Sequence, residues 1–233
     1  MEEKVSRTNE INRAILKQME VSTKIKIGGA GLTGQDNIAV GLRKEIELIV
    51  EGEAGDFYGA LNTSAILNLN GNAGRFVGDC MSGGGIIING NAGFGVGSYL
   101  GGGIIVIRGD CADNTGQMKK AGVVIIDGNV GENAGYLQSD GEMIITGSAG
   151  KGLGEFIIGG TIYVGGDYES LGRNTKVVEM ELADINLLDT YFNHYGITSK
   201  ATTFVKIIPS SKEPFDVLTG GGSGAKGAEE AGQ

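Results

Sequence analysis

The chain has 233 residues, 44 of them glycine and only 2 proline, and a formal charge of −9. Glycine close to a fifth of the chain, where about 7% is usual, without a Gly-X-Y period excludes collagen, and ordinary apolar content excludes a disordered low-complexity chain. The acidic balance, with no cluster of Lys and Arg, speaks against nucleic acid as a partner, because phosphate neutralisation needs clustered cations.

Residues 1–24 read as an amphipathic helix. Thr8 or Asn9 is placed to cap it, and Ile11, Ile15, Leu16 and Met19 supply an apolar stripe. The Met1-Glu2-Glu3-Lys4 start lacks a signal peptide's apolar core, and no apolar run approaches the roughly 20 residues that span a bilayer. A cytoplasmic protein that meets no membrane is the expectation.

Residues 25–175 are a repeat. Gly52, Gly71, Gly90, Gly109, Gly128, Gly147 and Gly166 recur at a constant spacing of 19 residues. Three residues later stand Gly55, Gly74, Gly93, Ala112, Gly131 and Gly150, and seven later stand Gly59, Gly78, Gly97, Gly116, Gly135 and Gly154. A degenerate first copy is read at Gly34, Asn37 and Gly41, and a last one fades around Gly172.

Each unit carries a short β-branched run such as Ile104-Ile105-Val106-Ile107, then a turn such as Asn89-Gly90-Asn91. Consecutive β-branched residues followed by glycines make a poor helix. One strand of four or five residues per unit pairs only with its copies above and below, so the unit is a solenoid coil. The expected fold is all-β: a single-stranded right-handed parallel β-helix of about seven coils with short flanking helices, roughly 35 Å long at strand spacing.

Columns down the stack assign the faces. Two residues before the turn glycine stand Val50, Leu69, Ile88, Ile107, Ile126, Ile145 and Val164, an interior ladder; two after it, mostly small residues from Ala54 to Ala149 suit a tight interior layer. Nine after it stand Leu61, Cys80, Tyr99, Met118, Leu137 and Phe156, read as interior from their apolar character. Cys80 and Cys111 then fall in different interior columns two coils apart, about 10 Å along the axis. That is beyond the roughly 7 Å a disulfide spans, so both are expected to be buried thiols.

Three residues before the glycine the side chains face outward, and Ile87, Val106, Ile125, Ile144 and Tyr163 make an apolar stripe there. Something must cover it, either this chain's own terminal helix or a partner subunit, and these five residues are the candidate interface.

Residues 176–217 change character. Asp184 is placed to cap a helix through Leu187, Leu188, Tyr191 and Phe192 that Gly196 stops, and residues 218–233 read as a flexible tail.

No chemistry assembles from the residues. His194 is the single histidine and has no nearby nucleophile or ligand set. Fragments of G-x-G-x-x-G such as Gly93–Gly97 open another strand rather than the helix of a dinucleotide site. Asp and Asn at the corners are turn formers, and the calcium nonapeptide is absent. The expectation is no catalytic, cofactor-binding or metal residue on this chain.

The run Asn70-Gly71-Asn72-Ala73-Gly74 through Gly78, with its later copies, resembles the GXGXG domain at the C-terminus of the glutamate synthase large subunit. The entry Thr8-Asn9-Glu10-Ile11-Asn12, the stretch Gly34–Leu42 and the closing Glu169-Ser170-Leu171-Gly172 are similar to the stand-alone subunit of methylamine–glutamate N-methyltransferase (N-methylglutamate synthase) complexes. The resemblance spans about residues 8–180. It implies a non-catalytic scaffold beside a glutamine amidotransferase subunit and an FMN-dependent synthase subunit, with FMN and an iron–sulfur cluster on those partners. The complex would transfer ammonia or an amine to a 2-oxo acid. A similar domain in the C subunit of formylmethanofuran dehydrogenase makes a complex of that kind the alternative.

Overall fold

The computed structural model describes residues 2–28 and 33–213. The tail expected at 218–233 lies outside the described residues.

The repeat folds as a parallel β-solenoid of about seven coils between two short helices. The strands are β1 (Lys24–Gly28), β2 (Glu47–Glu51), β3 (Ile66–Asn70), β4 (Gly85–Ile88), β5 (Ile104–Ile107), β6 (Val123–Ile126), β7 (Glu142–Ile145) and β8 (Thr161–Val164). They pair in parallel and in order. From β2 onward the register is one repeat per step, Ile86 to Ile105 to Val124, so equivalent side chains stack directly. The column from Val50 to Val164 is buried to 1% or less, and so is the column two residues earlier from Leu48 to Ile162. A second ladder of parallel bridges runs through Ala54, Ala73, Ala92, Cys111, Val130, Ala149 and Tyr168.

The corners are held by side chains as well as backbone. Asn72, Asn91, Asp110 and Asn129 each accept, through Oδ1, the backbone N–H one repeat later, at 2.9, 2.8, 2.7 and 2.8 Å. On the same side, Asp113 accepts the N–H of Glu132 at 2.8 Å, and Asp56 that of Arg75. This adds to a backbone clash at three of the glycines three residues into the unit; at Gly93 and Gly150 the added atom would meet only the backbone of the coil before, at 2.9 Å. A Cβ on Gly55, Gly74 or Gly131 would sit 2.0–2.4 Å from the carboxylate of Asp36, Asp56 or Asp113 in the coil before. Ala112, the exception in that column, follows a coil that carries Phe94 there instead of an acid.

The N-terminal end is closed by α1 (Glu2–Met19), which starts well before the expected caps. Thr8 lies inside the helix and donates from Oγ1 to the carbonyl of Asp36, while Asn12 donates to the carbonyl of Asn37 and accepts the N–H of Ala39. Ile15 and Met19 enter the solenoid core and Ile11 packs against it. Leu16 is 55% exposed, because residues four apart share a line along a helix and Leu16 falls off the line of Ile11, Ile15 and Met19. The first copy is also shifted: Gly59 donates to the carbonyl of Ile38 as Gly78 does to that of Tyr58. Ala39, at φ 58°, therefore occupies the place of the inward glycine, and Gly41 stands two residues beyond it.

The C-terminal end closes differently. α2 (Leu182–Tyr195) has Glu181 at its N-cap; Asp184 is the third helical residue, completing a capping box. Gly196 ends it at φ 65°. After a single 3-10 turn at Ala201–Thr203, β10 (Val205–Pro209) inserts antiparallel between β8 and β9 (Thr175–Val178). Residues 198–213, silent in the sequence, thus plug the stack.

Candidate interaction surfaces

Two apolar columns reach the outside of the stack, and the structure treats them oppositely. The stripe expected to be an interface is covered by the chain itself. Val106, Ile125, Ile144 and Tyr163 are 0–3% exposed under Leu188, Phe192, Ile197, Ala201 and Phe204, and Ile87 is half-buried at the edge of the same cluster. Of the two covers open from sequence, the chain's own helix is the one found. These residues are therefore core rather than a free interface, because an apolar sheet face and the apolar side of a neighbouring helix bury each other.

α2 is also pinned by charge. Asp184 accepts from the Tyr163 hydroxyl at 2.7 Å, from Lys206 at 2.8 Å and from the N–H of Glu181 at 2.8 Å. Burial raises the Asp184 pKa, but these three donors outweigh it and hold the carboxyl below its usual range. At the other end of the helix Arg108 donates to the carbonyl of Tyr195, filling one of the acceptors a helix C-terminus leaves open. His194 is exposed, its ring edge-on to Tyr195.

The N-terminal part of the column read as interior turns out to face solvent, whereas Met118 and Leu137 are half-buried and Phe156 is buried as expected. Leu61, Cys80, Tyr99, Met118, Leu137 and Phe156 all adopt left-handed backbone, φ 53–58°. Leu61 is 53% and Tyr99 44% exposed, and Cys80 is exposed rather than buried. Left-handed conformation costs a non-glycine residue about 1–2 kcal/mol. It is repaid by register: each of these residues donates its N–H to the next coil, Leu61 to Asp79 at 2.8 Å and Cys80 to Ser98 at 2.9 Å. The left-handed kink swings the following residue inward instead, so Asn62, Met81, Leu100, Lys119, Gln138 and Ile157 are 0% exposed.

Beside this column lies a ring ladder. Phe57 and Phe76 stack with centroids 5.1 Å apart, and Phe76 meets Phe94 edge-on at 5.5 Å. The three rings are half-exposed. Toward the C-terminal end Asn114, Asn133 and Gly152 replace aromatics, and the Arg173 guanidinium covers the Phe156 ring at 4.1 Å. The apolar, uncovered part is therefore the three coils from Phe57 to Tyr99. The sequence carried one clue to it: phenylalanines recur near the 19-residue period at positions that the aliphatic columns do not use.

Lys119 was also missed. Its Nζ donates to the carbonyls of Gly122 at 3.2 Å and Asp140 at 2.5 Å, and burial pushes its pKa down to about 8. Gln138 repeats the arrangement, donating to Gly141 and Gly159. Both are pegs between coils.

Among the described residues no group of three or more His, Cys, Asp or Glu is placed to hold a metal ion, and no helix is long and apolar enough to cross a membrane. No protein-family model and no curated protein matches the chain. Among solved structures, it is similar to a chain in the crystal structure of the formyltransferase/hydrolase complex (FhcABCD) from Methylorubrum extorquens, determined with methylofuran. The two are 25% identical, with a TM-score of 0.64 over 76% of this chain and 68% of the other.

Proposed function

We propose that the chain is a non-catalytic scaffold subunit of a multi-subunit enzyme complex whose chemistry lies on other chains, and that this complex is of the formyl-transfer kind. The supporting observation is the likeness to a chain of the formyltransferase/hydrolase complex, which covers 76% of this chain. It supports the alternative of the sequence resemblance, a subunit of a complex of the formylmethanofuran dehydrogenase kind, better than the glutamate-synthase reading. The rigid, end-capped stack also suits a scaffold: its coils lock together through side-chain ladders.

A glutamate-synthase-like complex, with glutamine amidotransferase and FMN synthase partners, is the second reading. It rests on the sequence resemblance. Two of the segments that carry the resemblance, the entry at residues 8–12 and the stretch 34–42, bond to each other through Thr8 and Asn12 and form one cap.

Affinity purification of the tagged chain from its native host, followed by identification of the stoichiometric partners, tests both. Formyltransferase and hydrolase subunits are expected. An amidotransferase with a flavin- and iron–sulfur-containing synthase moves the assignment to the second reading. A chain that purifies alone with a bound flavin or a catalytic activity of its own overturns the scaffold reading altogether.

A further inference from the structure

We infer that the Asn89–Gly90 corner is a site of spontaneous modification, where the asparagine side chain closes on the next backbone nitrogen to an imide that opens to aspartate or isoaspartate. This goes beyond the scaffold reading and does not depend on it. The chain has two Asn-Gly pairs, Asn70-Gly71 and Asn89-Gly90, each within the same run Asn-Gly-Asn-Ala-Gly. Both asparagines are exposed. The fold enforces the glycine after each. A Cβ on Gly71 would meet the carbonyl oxygen of Gly52 at 2.3 Å, and one on Gly90 that of Gly71 at 2.6 Å. With no side chain beside it, each glycine nitrogen is open to the asparagine before it.

Backbone bonding separates the two pairs. Asn70 is the last residue of β3, in register with Glu51, and its carbonyl accepts the N–H of Gly52 at 3.2 Å. Asn89 lies one residue past the end of β4. Among the described residues neither its carbonyl nor the Gly90 N–H makes a hydrogen bond, so the peptide between them is free to turn and bring the nitrogen to Cγ. One side-chain bond, from Asn89 Nδ2 to Asn70 Oδ1 at 2.7 Å, has to break. The Gly90 nitrogen then bonds to Asn89 Cγ, the Cγ–Nδ2 bond breaks, and the amide leaves as ammonia with the proton that the nitrogen gives up. Water cleaves the imide on either side of that nitrogen: at Cγ it restores the backbone as aspartate, at the main-chain carbon it leaves isoaspartate. The new carboxylate is accommodated at one pair only. Arg108 stands one coil on in the Asn89 column, directly after the register partners Ile88 and Ile107, whereas a carboxylate at 70 would stand opposite Glu51.

The test follows amide-to-acid conversion by mass spectrometry in the full chain held folded at mildly alkaline pH. Cleavage at Arg75 and Arg108 puts the two pairs on separate peptides. Asn89 should convert roughly tenfold faster than Asn70, about 1.4 kcal/mol in barrier, and faster than Asn72 and Asn91, each of which precedes an alanine. In guanidinium chloride the two pairs should convert at equal rates, because the residues that follow them are identical. Asn89→Gln, one carbon too long to close readily, should abolish conversion on its peptide and leave the Asn70 rate unchanged. Equal rates in the folded chain, or a faster Asn70, overturn the assignment. So does a folded chain that converts at neither pair while the denatured one converts at both, which would show the corner held shut. Conversion that persists in Asn89→Gln would place the reaction at Asn91, and overturns the site too.

Discussion

The strand face and the corner face are built from the same 19-residue period, yet one is finished by the chain and the other is left open. On the strand face the backbone is extended, alternate side chains point out, and four of the outward ones form a flat aliphatic stripe, Val106 to Tyr163, that α2 covers. On the corner face the backbone alternates into left-handed geometry, and what points out is a rougher set of rings and aliphatics with none of the described residues of α2 or β10 over it. Equal hydrophobicity in two columns therefore says little about burial. What separates them is whether the backbone geometry gives a flat surface that a helix of the same chain can reach.

The sharpest way to break this comparison is to truncate one residue on each side of it. Phe192→Ala, in the buried cluster that holds Ile125 and Ile144, should cost about 3–5 kcal/mol in chemical denaturation, as for a large core aromatic. Tyr99→Ala should stay within about 0.5 kcal/mol, as at an exposed site. Comparable losses at the two positions would mean that the corner face is not free.

A pH titration probes what the corner turns inward. Lys119 has a folded-state pKa of about 8, below the unfolded value near 10.5, so between those values the unfolded chain binds a proton that the native one does not. Stability should therefore rise with pH from about 8 to about 10.5, by about 3 kcal/mol at 1.36 kcal/mol per pH unit, and be flat in this contribution below pH 8. Lys119→Met, the residue type found at Met81 two coils earlier in the same column, should abolish the slope. A slope that survives the substitution would assign it to other groups.

Gly131→Ala tests the corner staple. The added methyl meets the carboxylate of Asp113, so a loss of about 1–3 kcal/mol is expected, and Asp113→Ala in the same chain should recover part of it. Additive losses would show that the acid is not what excludes the side chain. The smallest effect belongs to Ala112→Gly, where no carboxylate stands beneath: a cost of about 0.5–1 kcal/mol from chain entropy alone.

The resemblance stated at the outset rests on repeats and three short segments, and two of these, residues 8–12 and 34–42, turn out to be one cap made by Thr8 and Asn12 on the first coil. The helix they belong to was visible in Ile11, Ile15 and Met19, but its start was not. Charge and capping signals near Thr8 favour a start there, while docking on the solenoid end lets the helix run from Glu2. Likewise Asp184 was legible as a capping residue, but not its second role of binding Tyr163 and Lys206 from elements 20 residues away on either side.

By itself the sequence determined the solenoid, its period, its register from coil to coil and the aliphatic columns of its core, because a strict 19-residue repeat of short β-branched runs has one way to satisfy its backbone. Tertiary structure alone decided which outward column is covered and which is open. Left-handed backbone at Leu61, Cys80 and Tyr99 is affordable only through hydrogen bonds to the next coil, and the reach of α2 depends on how β10 closes the stack. Both are long-range facts, and neither leaves a local trace in the residues concerned.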